Sequence, residues 1–88
     1  MALKIHLEIV TPEKPILKEE VDEVIVPGAL GEFGVLPGHT TFLSALGDGR
    51  LTYAKAGQTR SLNTLNIRGG FVEVREDQVT VLADQSDP

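Results

Sequence analysis

Leu3-Lys4-Ile5-His6-Leu7-Glu8-Ile9 decides the fold class. Its apolar residues fall at every second position and Lys4, His6 and Glu8 fill the gaps, the period of a strand with one face in a core and one in water. Ile5 and Leu7 are therefore core residues, and His6 belongs to the polar face. Thr11-Pro12-Glu13-Lys14-Pro15 ends the strand in a turn, because proline lacks the ladder donor and disfavours helix before it. Residues 16–18 and 21–26 form a second extended run. Its inward parity changes between Val21 and Val24, which predicts a bulge near Asp22 or Glu23.

Working outward, strand and turn signals keep alternating. Residues 27–39 carry Gly28, Gly31, Gly34 and Gly38 around Leu30, Phe33, Val35 and Leu36, which predicts an ordered loop with a short strand inside it and those apolar side chains tucked inward. Residues 40–46 are apolar again, and Gly47-Asp48-Gly49-Arg50 supplies Asp-Gly turn chemistry for a hairpin with residues 51–54. After a turn at Ala56-Gly57-Gln58, residues 60–67 form the next strand, and Gly69-Gly70 marks a bend that excludes a Cβ. Residues 71–75 and 79–82 flank Glu76-Asp77-Gln78 as a last hairpin, with Val81 in the core. Residues 1–84 thus read as one domain and residues 85–88 as a polar tail. No window has helical spacing, and the connections are too short for βαβ crossovers, so the fold class is all-β: a small, largely antiparallel β-sandwich or flattened barrel.

Composition narrows the function. A chain of 88 residues has one core and little room for an enzyme cleft. It contains no cysteine, which excludes disulfide staples, thiolate zinc sites and thiol catalysis. Eight Lys and Arg against 13 Asp and Glu give a net charge of −5, and the basic residues are scattered singly, which argues against nucleic-acid binding. No stretch of 18 apolar residues occurs, and the amino-terminal residues mix charges into the apolar pattern, unlike a signal peptide.

The candidate chemistry is thin. The glycine-rich stretch fails as a phosphate cradle because His39, not lysine, follows Gly38 and no helix is expected behind it. His39 with Thr40, Thr41, Ser44 and Asp48 has no spacing that defines a nucleophile and base, so a small hydrolase is the weakest of three readings. His6 has no third histidine or thiol to complete a metal set. Glu19, Glu20, Asp22 and Glu23 lack the spacing of a calcium loop and read as a solvated strand edge. What stands out is apolar material in a loop, at Leu30, Phe33, Val35, Leu36 and Phe42, beside the charges of Glu32 and His39. That combination fits a surface that docks protein better than one that transforms a small molecule. Without further information the reading is a β-sandwich adaptor.

Three runs carry a sharper resemblance: Val26-Pro27-Gly28-Ala29-Leu30-Gly31-Glu32-Phe33-Gly34-Val35-Leu36-Pro37-Gly38-His39-Thr40, Ile67-Arg68-Gly69-Gly70-Phe71-Val72-Glu73-Val74 and Val79-Thr80-Val81-Leu82-Ala83-Asp84. In this order they resemble the epsilon subunit of F-type ATP synthase along the whole chain. The resemblance implies an amino-terminal β-sandwich at the foot of the central stalk, a non-catalytic rotor part held against the gamma subunit and the c ring. Partner-binding residues follow by the same resemblance: Glu32 toward polar loops of the c ring, His39 near the gamma contact, and Phe33, Gly34 and Leu36 beside them. No catalytic, cofactor or metal residue is implied. Relatives continue past the position of Pro88 through a linker into a two-helix domain that brings ATPase inhibition and, in some members, ATP binding, so neither is expected of these residues. The implied location is peripheral, on the cytoplasmic face of a bacterial plasma membrane or the stromal face of a thylakoid.

Overall fold

The computed structural model describes residues 4–38, 41–58 and 61–87. Among the described residues seven strands follow one another: β1 (Ile5–Val10), β2 (Pro15–Gly28), β3 (Gly31–Val35), β4 (Phe42–Ala45), β5 (Gly49–Lys55), β6 (Leu62–Arg75) and β7 (Gln78–Asp87). Pairing runs β1-β7-β6-β5-β2 and closes through β1–β2, with β3 added to β2 and β4 to β6. The all-β expectation holds, and the ring is a flattened barrel. All pairings are antiparallel except β1–β7, which is parallel.

Two 14-residue strands let so short a chain enclose a core. Val21 pairs with Ile5 of β1 and with Lys55 of β5, and Val24 pairs with Tyr53 of β5 and Val35 of β3. On one side of β2, β3 therefore takes over where β1 leaves, while β5 lies on the other. The β2–β5 register slips between Val21 and Glu23, the expected bulge, and that slip returns Val24 and Val26 to the core. β6 behaves alike: β5 flanks residues 62–67, β4 flanks residues 71–74, and β7 runs along the opposite side from Asn66 to Arg75. One layer is then β3-β2-β5-β6 with the end of β7. The other is the start of β2, then β1-β7-β6-β4.

The bend in β6 falls at Gly69 (φ 62°) and Gly70 (φ 108°), and a Cβ on Gly70 would overlap the Leu82 carbonyl oxygen. Between the layers lie Ile5, Leu7, Ile9, Val21, Val24, Val26, Leu51, Ile67, Val72, Val74, Val79 and Val81, all but solvent-free. The first strand's phase is thus as the sequence indicates. The last hairpin is tighter than expected: Arg75 pairs with Gln78, and Glu76 (φ 48°) and Asp77 (φ 62°) form the two-residue turn that matches strand twist.

Three expectations need correction. Gly47-Asp48-Gly49-Arg50 does not join a hairpin, because β4 pairs with β6 rather than β5. Gly47 N–H donates to the Pro27 carbonyl at 2.8 Å and a Cβ on Gly49 would press on the Pro27 ring at 2.9 Å, so this segment carries the chain from one layer to the other beside β2. The polar tail is no tail as far as Asp87: Gln85, Ser86 and Asp87 pair with Arg68, Ile67 and Asn66. Pro88 lies outside the described residues. Third, the acidic run of β2 is not simply a solvated edge. Glu19 meets Lys55 at 3.4 Å, Glu20 lies 3.9 Å from both Lys4 and His6, and Asp22 accepts from Gly57 N–H at 2.9 Å.

Candidate docking surface

The β2–β3 hairpin carries most of the residues singled out in the sequence. Val24–Val35, Ile25–Gly34, Val26–Phe33, Pro27–Glu32 and Gly28–Gly31 face each other, leaving Ala29 and Leu30 as a two-residue turn. Glycine is required at position 28, where a Cβ would stand 2.8 Å from the Gly31 carbonyl oxygen and 2.9 Å from the Phe33 ring. The tip is braced from the other layer: Ala29 N–H donates to the Ala45 carbonyl at 3.0 Å, and Gly28 bridges Leu46.

Of the five proposed contact residues, Glu32, Phe33 and Gly34 sit together on β3 and Leu36 follows it. Glu32 and Gly34 point to the outer face and are exposed. Phe33 turns inward, half-buried, with its ring edge-to-face on Phe42. His39 and Thr40 lie outside the described residues. The expectation that Leu30, Phe33, Val35 and Leu36 all tuck in is half wrong. Val35 is buried and Phe33 partly so, but Leu36 is 59% exposed and Leu30 fully so. Leu30 lies outside because a two-residue turn aims its side chains away from the ladder. Past Leu36 the segment is tied down again, Gly38 N–H donating to Asp77 Oδ1 at 2.6 Å.

A second apolar surface escaped the sequence reading. Val10, Leu82, Phe71 and Ala45 are successive cross-strand partners on β1, β7, β6 and β4, and form one row on the outer face of their layer. Phe71 and Leu82 remain more than half exposed, as does Leu43, diagonal to Phe71 on β4. Glu8, Thr80 and Glu73 make the next row, so the apolar strip has an acidic border. The signal was present in the sequence. Phe71-Val72 and Val81-Leu82 are apolar on both parities, the pattern of a strand covered on both faces rather than one.

The catalytic alternative turns on His39, which lies outside the described residues. Ser44 Oγ donates to the neighbouring Ala45 carbonyl at 3.1 Å, and His6 faces Glu20 and its neighbour Lys4. Among the described residues, no three His, Asp or Glu side chains cluster as a metal site would require.

A two-layer β ring with a braced hairpin and an exposed apolar row defines a small β-sandwich domain. Residues 4–87 match the family of the ATP synthase delta/epsilon chain β-sandwich domain, and the chain belongs to that family. It is 51% identical over 87 residues to the ATP synthase epsilon chain of Geobacter sulfurreducens, covering 99% of this chain and 61% of that protein. Identity to the epsilon chain of Syntrophobacter fumaroxidans is 59% over 83 residues, covering 94% of this chain and 60% of the relative. The chain thus spans about three fifths of the length of these curated relatives. Among solved structures, a chain of the Euglena gracilis mitochondrial ATP synthase (OSCP/F1/c-ring) superposes with a TM-score of 0.90 at 27% identity, over 100% of this chain and 55% of that one. A chain from the central stalk and c-ring of the Tetrahymena thermophila enzyme shares the fold, with a TM-score of 0.77 at 15% identity, over 94% of this chain and 65% of that one.

Proposed function

We propose that this domain is a non-catalytic part of the rotor of an F-type ATP synthase, fastening the gamma subunit to the c ring so that ring rotation reaches the catalytic head. The observation that carries the reading is a pair of exposed features, suited to docking, on one closed ring of strands. An apolar row centred on Phe71 and Leu82 lies on one layer, and a braced hairpin bearing Glu32 belongs to the other. An adapter that transmits torque needs two such attachments with a stiff link between them, and the closed ring of strands supplies the link. Gamma covers the apolar row, and polar loops of the c ring meet Glu32, Gly34 and the exposed Leu36, with His39 at the gamma contact. The complex places the domain peripherally, on the cytoplasmic face of a bacterial plasma membrane, in keeping with bacterial relatives.

The test is direct. The 88-residue chain and purified gamma from the same organism should co-elute as a 1:1 complex, and adding the chain to gamma and the c ring should raise the yield of the three-part assembly. Failure to bind gamma at tens of micromolar, with the chain folded, would leave a generic β-sandwich adaptor as the better description.

A further inference from the structure

The hairpin register fixes which main-chain groups of β3 are free. Antiparallel partners alternate between pairs that exchange hydrogen bonds and pairs that do not. Pro27 has no N–H, so Pro27–Glu32 is a non-bonded pair, and by alternation so is Ile25–Gly34. Gly31, Phe33 and Val35 therefore bond to β2, while the N–H and C=O of Glu32 and Gly34 point away from it. β3 has no partner on that side among the described residues. Among the described residues, four main-chain groups thus stand in a row without a ladder partner.

Natural sheets blunt such edges with lysine, internal proline or a bulge. The start of β2 carries Pro15, Lys18 and Glu20, and the end of β7 carries Asp84 and Asp87. β3 has the sequence Gly-Glu-Phe-Gly-Val, with none of those devices and one charge. Its register with β2 is regular, and nothing lies within 4 Å of a Cβ placed on Gly34. The edge is flat, open and flanked by two exposed leucines, Leu30 and Leu36.

We infer that the free edge of β3 is a strand-addition site, and that its occupant is a short extended segment of a polar c-ring loop, hydrogen-bonded to the main chain of Glu32 and Gly34. This rests on the rotor reading above. Two outward-facing residues can hold only about three residues of partner chain, which suits a loop rather than a full strand. The Glu32 carboxylate, on the outer face beside the edge, selects a segment carrying lysine or arginine. The bare position at Gly34 leaves room for a partner side chain against Ile25. Main-chain bonds supply the fit and Glu32 the choice of partner.

The probe is the purified gamma–c-ring subcomplex in detergent. Hydrogen exchange at the Glu32 and Gly34 amides should slow at least tenfold when the wild-type chain binds it. Gly34→Pro removes an N–H that β2 does not use, at a strand position where proline is tolerated, and should weaken binding at least tenfold. Gly34→Ala should stay within twofold. Binding with both amides unprotected would overturn the strand-addition site and leave the rotor reading standing. Protection of the same amides in the chain alone, with dimerisation, would overturn it in favour of a second copy at the edge. Absence of any binding by the folded wild-type chain would remove the rotor reading itself, and this inference with it. The exchange measurement decides the matter even if Gly34→Pro does not fold.

Discussion

Phe33 and Phe42 meet edge-to-face with ring centroids 5.1 Å apart and planes at 66°, joining two strands that share no ladder. Phe33 belongs to β3 at the margin of one layer and Phe42 to β4 at the margin of the other. The contact closes the core where the hairpin begins, and fixes the inner side of a strand whose outer side carries Glu32 and Gly34. Aromatic pairs of this geometry contribute about 0.5–1.5 kcal/mol beyond area burial.

Phe33→Ala should therefore lower stability by about 1–3 kcal/mol, less than for a fully buried phenylalanine because the ring is only half-buried. Glu32→Lys, one residue away on the exposed face, should change it by less than about 0.5 kcal/mol. Urea denaturation of both variants checks this. Equal losses would mean that β3 does not divide into an inner and an outer side.

The two glycines of the β6 corner and hairpin edge should differ sharply. At Gly70 alanine meets both a positive φ and the Leu82 carbonyl, and at Gly34 it meets open space. Gly70→Ala should cost at least about 2 kcal/mol and Gly34→Ala no more than about 0.5. Thermal midpoints of the two variants against the parent decide it; a tolerated Gly70→Ala would show that β6 and β7 do not approach as closely as described.

Local pattern revealed what depends on neighbours in sequence and little of what depends on neighbours in space. The phase of Ile5, Leu7 and Ile9, the parity slip after Val21 and the Gly69-Gly70 bend all follow from side-chain alternation and Cβ sterics. Which strand pairs with which does not: Asp48-Gly49 has hairpin chemistry, yet the Pro27 carbonyl captures Gly47 N–H and β4 joins β6. Residues 85–87 look like a tail because they bring few apolar side chains, but β6 offers them a ladder. The β2–β3 hairpin, as a glycine-rich segment with a short strand inside it, was legible from its glycines. Hydrophobicity alone does not say which way a turn points Leu30, and the Phe71–Leu82 row exists only across the sheet, between partners that no single strand reveals.

Core truncations should scale with burial rather than position in the chain. Ile5→Ala, Leu7→Ala and Val81→Ala each remove methyl groups from nearly solvent-free sites on β1 and β7. Each should lower the unfolding free energy by about 1–4 kcal/mol. Unchanged urea midpoints for all three would contradict the strand phase.

The apolar row should matter for assembly and not for folding. Phe71→Ser with Leu82→Ser removes two side chains that are 55% and 52% exposed. Since they are cross-strand partners on the outer face of β6 and β7, the double variant should lose no more than about 1 kcal/mol of stability. Its affinity for gamma should fall at least tenfold, read by titration with gamma in solution. A folded double variant that binds gamma as the parent does would move the gamma surface elsewhere.

ATP should not bind this chain. The glycine-rich stretch that invites comparison with a phosphate loop is a β-hairpin in the structure, and its turn is followed not by a helix but by a strand, Gly31–Val35, whose second residue is the acidic Glu32. Phosphate cradles depend on convergent N–H groups at a helix start and on a lysine to reach the outer phosphates. Here the N–H groups of Gly31 and Phe33 face β2, those of Glu32 and Gly34 lie in line along an edge, and the carboxylate beside them repels an anion. The Gly70 region offers no better cradle, since its main chain presses directly against β7. Isothermal titration of the chain with ATP and magnesium should show no saturable heat. A dissociation constant below about 1 mM, more than roughly 4 kcal/mol of binding, would require a nucleotide site that neither the hairpin nor the bend in β6 supplies.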